Sequence, residues 1–307
     1  MPTVQTIIPI FTIILVGALA RYRGFITQPF LEPANRLVYY LAIPAMIFHS
    51  ISASSLGTQF NPAVVLATLA CIPIVFGLSL GLNRVLGYSR GRSGTFIQCS
   101  FHGNLGYIGL AVIFYYLGRE GLARGSIIAG FVMIVQNFLA VVTLLFFAEE
   151  RDTGNRLRLF LGRIVLNPVI ISALLGIGYS ALQLPMPTVL DRSLTILSGL
   201  ALPMALLLIG ASLSFSLVKA QLSGALVSSL TKVVVLPALG LMGYRYLGLS
   251  LESYLPALIL LAAPTATLTY VFAKEMNGDA DLAVATITVG TILSGVTYAA
   301  WLHLVST

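Results

Sequence analysis

Charge is scarce in this sequence. Asp, Glu, Lys and Arg make up 9% of its 307 residues and apolar types 58%, whereas a soluble domain carries roughly 25% charged residues. So few charges cannot cover a water-exposed surface, which excludes an ordinary soluble fold. Acidic residues are scarcer still, 10 in all, and none sits clearly inside an apolar run. That argues against a proton pump built on a membrane carboxylate. Cysteine is nearly absent: Cys71 and Cys99 fall inside apolar segments with neither metal-ligand spacing nor a disulfide framework, and they read as small buried hydrophobes. There is no Ser-His-Asp order, no His/Cys cluster and no phosphate-binding glycine loop. Neither enzymatic catalysis nor a bound metal or cofactor is therefore expected. The net charge of +7 does not imply nucleic acid, because the basic residues lie in short loops between apolar runs, as the positive-inside rule requires. Met1 to Ala20 lacks a basic leader and reads as a first membrane span, not a cleaved signal peptide.

What the chain does contain is apolar runs of membrane-crossing length. At roughly 20 residues per crossing, ten spans are expected, near 4–20, 35–53, 62–86, 94–118, 124–148, 164–183, 189–213, 219–247, 253–275 and 280–304. The charge cluster Glu149, Glu150, Arg151, Asp152, Arg156, Arg158 and Arg163 makes 149–163 a cytoplasmic linker between halves 1–148 and 164–307. Twelve Lys and Arg lie in the loops after the odd-numbered spans and four on the other side. That bias places both termini outside the cytoplasm of an inner, plasma-type membrane.

The halves are related. Pro9 and Pro44 recur 159 positions later as Pro168 and Pro203, Gly17 as Gly176, and Leu41-Ala42-Ile43-Pro44 as Leu200-Ala201-Leu202-Pro203. Five spans per half is an odd number, so the second copy enters the membrane from the opposite face. The expected fold is all-α and integral to the membrane, ten helices in two inverted five-helix repeats, a plan common among secondary transporters.

Two segments stand at matching places in these halves. The fourth span carries His102-Gly103-Asn104-Leu105-Gly106-Tyr107-Ile108-Gly109, and glycines beside an Asn weaken a helix. The ninth carries Pro264-Thr265-Ala266-Thr267-Leu268-Thr269, where proline removes a backbone hydrogen bond. Each alone is open to a second reading, close glycine-mediated packing for one and an ordinary proline kink for the other. Interruptions at matching positions of inverted halves mark a transport site, and the amides freed at a break suit a carboxylate. Gln136 and Asn137 in the fifth span are candidates to support the first break. Lys232 in the eighth either snorkels to the interface or lies near a substrate path. His102 is open to a structural or a substrate-contacting role; His49 is read as structural.

The run Asn104-Leu105-Gly106-Tyr107-Ile108-Gly109, Asn167-Pro168 at the start of the sixth span, and Pro264 followed by Phe272-Ala273-Lys274-Glu275 and Asn277 resemble the auxin efflux carrier family, which includes the plant PIN-formed carriers and shares its fold with bile-acid symporters. The resemblance covers essentially the whole chain. It implies a scaffold of spans 1, 2, 6 and 7, often dimeric, and a moving transport domain of spans 3–5 and 8–10. It also implies crossed, broken spans 4 and 9, an elevator-like mechanism, Asn104 as a substrate contact and Pro264 as the crossover proline. The chain has Gly103 where plant carriers have proline, Ala111 where many members have proline, and Val169 where plant carriers place a second ligand Asn. These departures turn the expected substrate from auxin toward dicarboxylates such as malate and malonate. A sodium-coupled symporter of the same architecture and a ligand-binding membrane receptor or sensor are the alternatives; the short flanking ends disfavour the latter.

Overall fold

The computed structural model of the chain describes residues 2–54, 61–148 and 166–306, so the linker expected at 149–163 lies outside the described residues. Among these the secondary structure is helical, without strands. The helices are α1 Pro2–Tyr22, α2 Gln28–Leu37, α3 Ile43–Ser52, α4 Pro62–Leu86, α5 Arg90–Phe101, α6 Leu110–Phe147, α7 Pro168–Ala181, α8 Thr188–Ser212, α9 Phe215–Leu230, α10 Leu236–Tyr246, α11 Leu251–Ala262, α12 Leu268–Glu275 and α13 Ala280–Ser306. Wider π-helical turns occupy Val38–Ala42, Leu105–Gly109 and Thr231–Val235. Among the described residues six stretches are long and apolar enough to cross a bilayer: Val4–Tyr22, Pro62–Leu86, Leu105–Phe147, Thr188–Ser212, Phe215–Tyr246 and Ala280–Ser306. Two shorter apolar helices, Pro168–Ala181 and Leu251–Ala262, accompany them. The chain is a multi-pass membrane protein.

The stretch Leu105–Phe147, 43 residues, would run about 65 Å if straight, twice the hydrocarbon thickness. It is not straight. Gly118 adopts φ 70°, ψ −160°, a conformation open to glycine and costly to other residues, and a Cβ on Gly125 would press against Ile113. Residues twelve apart can touch only if the chain turns back on itself, so α6 is two legs hinged at Gly118.

Helices extend past the apolar runs that predict them. Arg90 and Arg92, expected in a loop, lie in the first turn of α5; Lys219 lies within α9 and Arg36 in the last turn of α2. Long basic side chains can leave a helix end for the interface while their backbone stays helical. Arg90 Nη2 does this by donating to Phe146 O at 2.7 Å, a carbonyl at the C-terminal end of α6 where a cation is favoured.

Proline explains one of the π turns. Pro237 has no amide to give Val233 O, and the backbone widens over Thr231–Val235 just before it. The orphaned carbonyl is not left bare: Trp301 Nε1 of α13 donates to Val233 O at 2.9 Å. Trp301→Phe keeps an aromatic ring and removes the donor. It should lower stability by about 1–3 kcal/mol, the cost of a buried carbonyl without a partner, read as a fall in the thermal midpoint of the purified protein. An unchanged midpoint would contradict this assignment.

The described residues group into two units. One draws on Met1–Pro62, Gly106–Phe131 and Leu166–Leu213, the other on Ala63–Leu105, Val132–Val165 and Ser214–Thr307, in each case through their described residues. Within the first, α1 packs on α8 and α3 on α7. The α1–α8 approach is set by glycine on both sides: a Cβ on Gly17 would strike the backbone of Leu207, and one on Gly210 the backbone of Ile14. Lipid offers helices no hydrophobic drive to associate, so close backbone approach through small residues carries such a contact.

Candidate functional site

Two interrupted helices meet within the second unit. α5 closes at Phe101 and His102 is already extended, φ −81°, ψ 98°. Helical geometry resumes only at Leu105–Gly109. α11 closes at Ala262, and Ala263 takes φ −59°, ψ 137°. Pro264 then supplies no amide to continue the helix, and α12 begins at Leu268 with Thr267 as its N-cap residue.

Between these ends Gly103 and Thr265 form an isolated antiparallel bridge. Asn104 N donates to Pro264 O at 2.7 Å and Ala266 N to His102 O at 2.9 Å. In that register the bridging residues' own N–H and C=O groups point away from the pair, so Gly103 needs a partner on its other side. The side-chain amide of Gln136 provides both halves of one: Gly103 N donates to Oε1 at 3.0 Å, and Nε2 donates to Gly103 O at 3.3 Å. Thr265 Oγ1 donates to Cys99 O at 3.0 Å, one of the carbonyls that a helix end leaves without an intrahelical partner. Tyr298 Oη does the same for Ile259 O near the end of α11, at 3.0 Å. Non-helical backbone within an apolar span is tolerated only with such internal partners.

Lys232 completes the arrangement. It lies in the Thr231–Val235 turn, 1% exposed, and its Nζ donates to Leu261 O at 2.7 Å and Ala263 O at 2.6 Å. The snorkelling alternative is overturned: the ammonium is held at the break in the ninth span, beside Gly103.

The other candidates divide. Asn104 (6% exposed), Leu105 (2%) and Thr265 (0%) are buried, as are Gly106 and Pro264, whereas Thr267 is half-buried. His102 is buried, stacked on Phe101 with ring centroids 6.5 Å apart and edge-on to Phe272 at 5.9 Å, with Gln98 Nε2 3.5 Å from its Nδ1. Gln136 clamps Gly103; Asn137, the next residue on the same helix, lies beside His102 instead, because consecutive helical residues face different ways. The amides expected to be free at the break are partly committed, since those of Gly103, Asn104 and Ala266 have the partners given above.

Asn167 and Val169 belong to the first unit. Asn167 Oδ1 accepts from Val169 N at 2.9 Å and Ile170 N at 3.4 Å, capping α7 with Pro168 in its first turn. The Asn-Pro pair is thus a helix start signal, with asparagine as cap and proline at a position that needs no amide. Sequence reasoning missed the hydrogen bond between His49 Nε2 and Asp191 Oδ1, 2.8 Å, in this unit. It also missed Trp301 and Tyr298, whose polar tips in an apolar run are the signal that each needs a partner. An apolar groove of about 640 Å³ runs along α4 and the Thr231–Val235 turn, with Thr231 its polar member. That lining suits an acyl chain, and the crossing residues do not border it.

The chain is similar to known transporters along nearly its whole length. An uncharacterized transporter of Methanothermobacter thermautotrophicus is 23% identical, covering 98% of each chain. An uncharacterized transporter of Methanocaldococcus jannaschii is 24% identical over 97% of each. A Rhizobium meliloti protein named "Putative malonate transporter" is 26% identical over 97% of this chain and 94% of its own. Residues 2–302 match the family model described as membrane transport protein, and the chain therefore belongs to that family, the auxin efflux carrier family.

Proposed function

We propose that the protein is a secondary carrier of small organic anions, carboxylates of the malonate and malate kind or auxin-like acids, rather than an enzyme or a receptor. The observation that carries this reading is the crossing itself. Two apolar helices are opened opposite each other, the Lys232 amine lies buried at the opening, and Asn104 belongs to the opened segment. Helix ends and amide dipoles there favour an anion. The malonate relative supports the substrate class.

The proposed architecture is ten spans in two inverted repeats. It is supported by exchange of packing partners: the 159-residue shift carries α1 onto α7 and α3 onto α8, and α1 packs on α8 while α7 packs on α3. Gly176 repeats the role of Gly17, since a Cβ there would lie 3.2 Å from Phe48 O and 3.0 Å from the Ile51 side chain. An elevator mechanism needs a body that moves as one. Gly103, Asn104, Gln136, Lys232, Pro264 and Thr265 all fall in one unit, and spans 1, 2, 6 and 7 fall in the other, which suits a scaffold. The boundary between units passes through spans 4 and 5, at 105/106 and 131/132, so the moving body takes only part of each. Exposed apolar side chains on the scaffold spans, Ile8, Leu174 and Ile196 among them, suit lipid and a second copy of the chain in a homodimer. An inner-membrane location with both termini outside the cytoplasm follows from the distribution of Lys and Arg.

A thermal-shift series on the purified protein tests the substrate class. A ligand at a hundredfold its Kd stabilises by about 2.7 kcal/mol, so malonate or malate should raise the midpoint and their neutral diamides should not. A protein indifferent to every small carboxylate would contradict the proposal.

A further inference from the structure

The geometry points to Lys232 as a built-in cation, its ammonium occupying the place at the crossing that a free sodium ion would take in a cation-coupled carrier. The inference rests on the anion-carrier reading only for its consequence, transport that needs no sodium. The site stands on its own geometry. Two backbone carbonyls, Leu261 O and Ala263 O, converge on one point at the C-terminal end of α11, and Lys232 Nζ lies 2.7 and 2.6 Å from them. Those separations are short, as for a charged N–H donor. Carbonyl oxygens at a broken helix's C-terminal end are hard ligands carrying negative partial charge, and this is where unwound backbone holds Na⁺ in transporters.

Two further features keep the ammonium there. The π turn at Thr231–Val235 puts one extra residue into the helical register, and such insertions re-aim a side chain at functional positions. Gly103 leaves the room: a Cβ there would come 2.9 Å from Lys232 Cε and 3.0 Å from Nζ. The side chain is nearly fully buried, at 1% exposure, which is costly for a mid-span lysine without a specific role. A tethered amine cannot diffuse away from the carbonyls, where a bound ion would come and go.

The test compares wild type, Lys232→Ala and Lys232→Met in lipid nanodiscs, in NaCl, KCl and N-methylglucamine chloride at equal ionic strength. Wild type should melt at the same temperature in all three. K232A removes the ammonium and leaves a hollow with two bare carbonyls; it should melt lower in N-methylglucamine and recover, saturably, with sodium or another small monovalent cation. K232M fills the same hollow with an apolar chain and should melt lower without recovery. Wild type stabilised by sodium overturns the proposal, and so does a K232A protein that responds to no cation. If K232A does not fold in any salt, the wild-type series still decides. All readouts are melting temperatures obtainable without substrate, so this inference and the carboxylate reading fail separately.

Discussion

Asn104→Ala should weaken carboxylate binding about ten- to a hundredfold, the loss expected when one hydrogen bond to a charged group is removed, without unfolding the crossing. The reason is the division of labour within that residue. Its backbone amide holds the bridge by donating to Pro264 O at 2.7 Å, and alanine keeps that amide. Only the carboxamide side chain, on the segment beside Lys232, is lost. The variant should therefore keep the backbone bridge and lose most of the shift produced by malonate or malate. The result against it would be equal ligand-induced shifts in both proteins; a collapsed midpoint without ligand would instead make Asn104 structural.

Gln136→Leu should show the opposite signature. Its amide forms two bonds to one residue, Gly103, from a side chain that is 3% exposed. Leucine fills similar space, so no large cavity results. What remains is a buried N–H without its partner, at about 1–3 kcal/mol, because Gly103 O keeps the Leu105 amide at 2.9 Å. That is a sizeable share of the whole stability of a typical domain. Purified Q136L should melt clearly below wild type whether or not a carboxylate is present. A wild-type melting curve for Q136L would mean that the bridge does not depend on this clamp.

The contrast between these residues bears on what the sequence could disclose. Both interruptions were legible, because their causes are local: glycines around Asn104 weaken one helix and Pro264 denies an amide to the other. The pairing of 102–104 with 264–266 was not, since antiparallel bridging joins segments about 160 positions apart and leaves no periodicity. For the same reason the sequence suggested free amides at the break, while the structure shows those of Gly103, Asn104 and Ala266 already bonded. Lys232 was visible as an anomaly in an apolar run, but composition does not say which way a lysine points; only the carbonyls of Leu261 and Ala263 do. Gln136 and Asn137 looked equivalent until a helix assigned them different faces. Helix ends were misplaced toward the apolar runs at Arg90, Arg92 and Lys219 because snorkelling arginine and lysine let a helix continue into polar surroundings. The reversal at Gly118 and the cap at Asn167 follow from rules that need only a few neighbouring residues, and both lie where such rules put them.

The central claim is that this chain moves carboxylates through the crossing of its two opened helices. The most direct measurement is uptake of radiolabelled malonate into liposomes holding the purified protein, with the Asn104→Ala variant reconstituted in parallel at equal protein content. The account predicts saturable uptake by wild type, inhibited by malate but not by neutral diamides, and uptake reduced at least about tenfold in the variant. Wild-type liposomes that take up no labelled carboxylate faster than empty ones, or a variant that transports as fast as wild type, would contradict it.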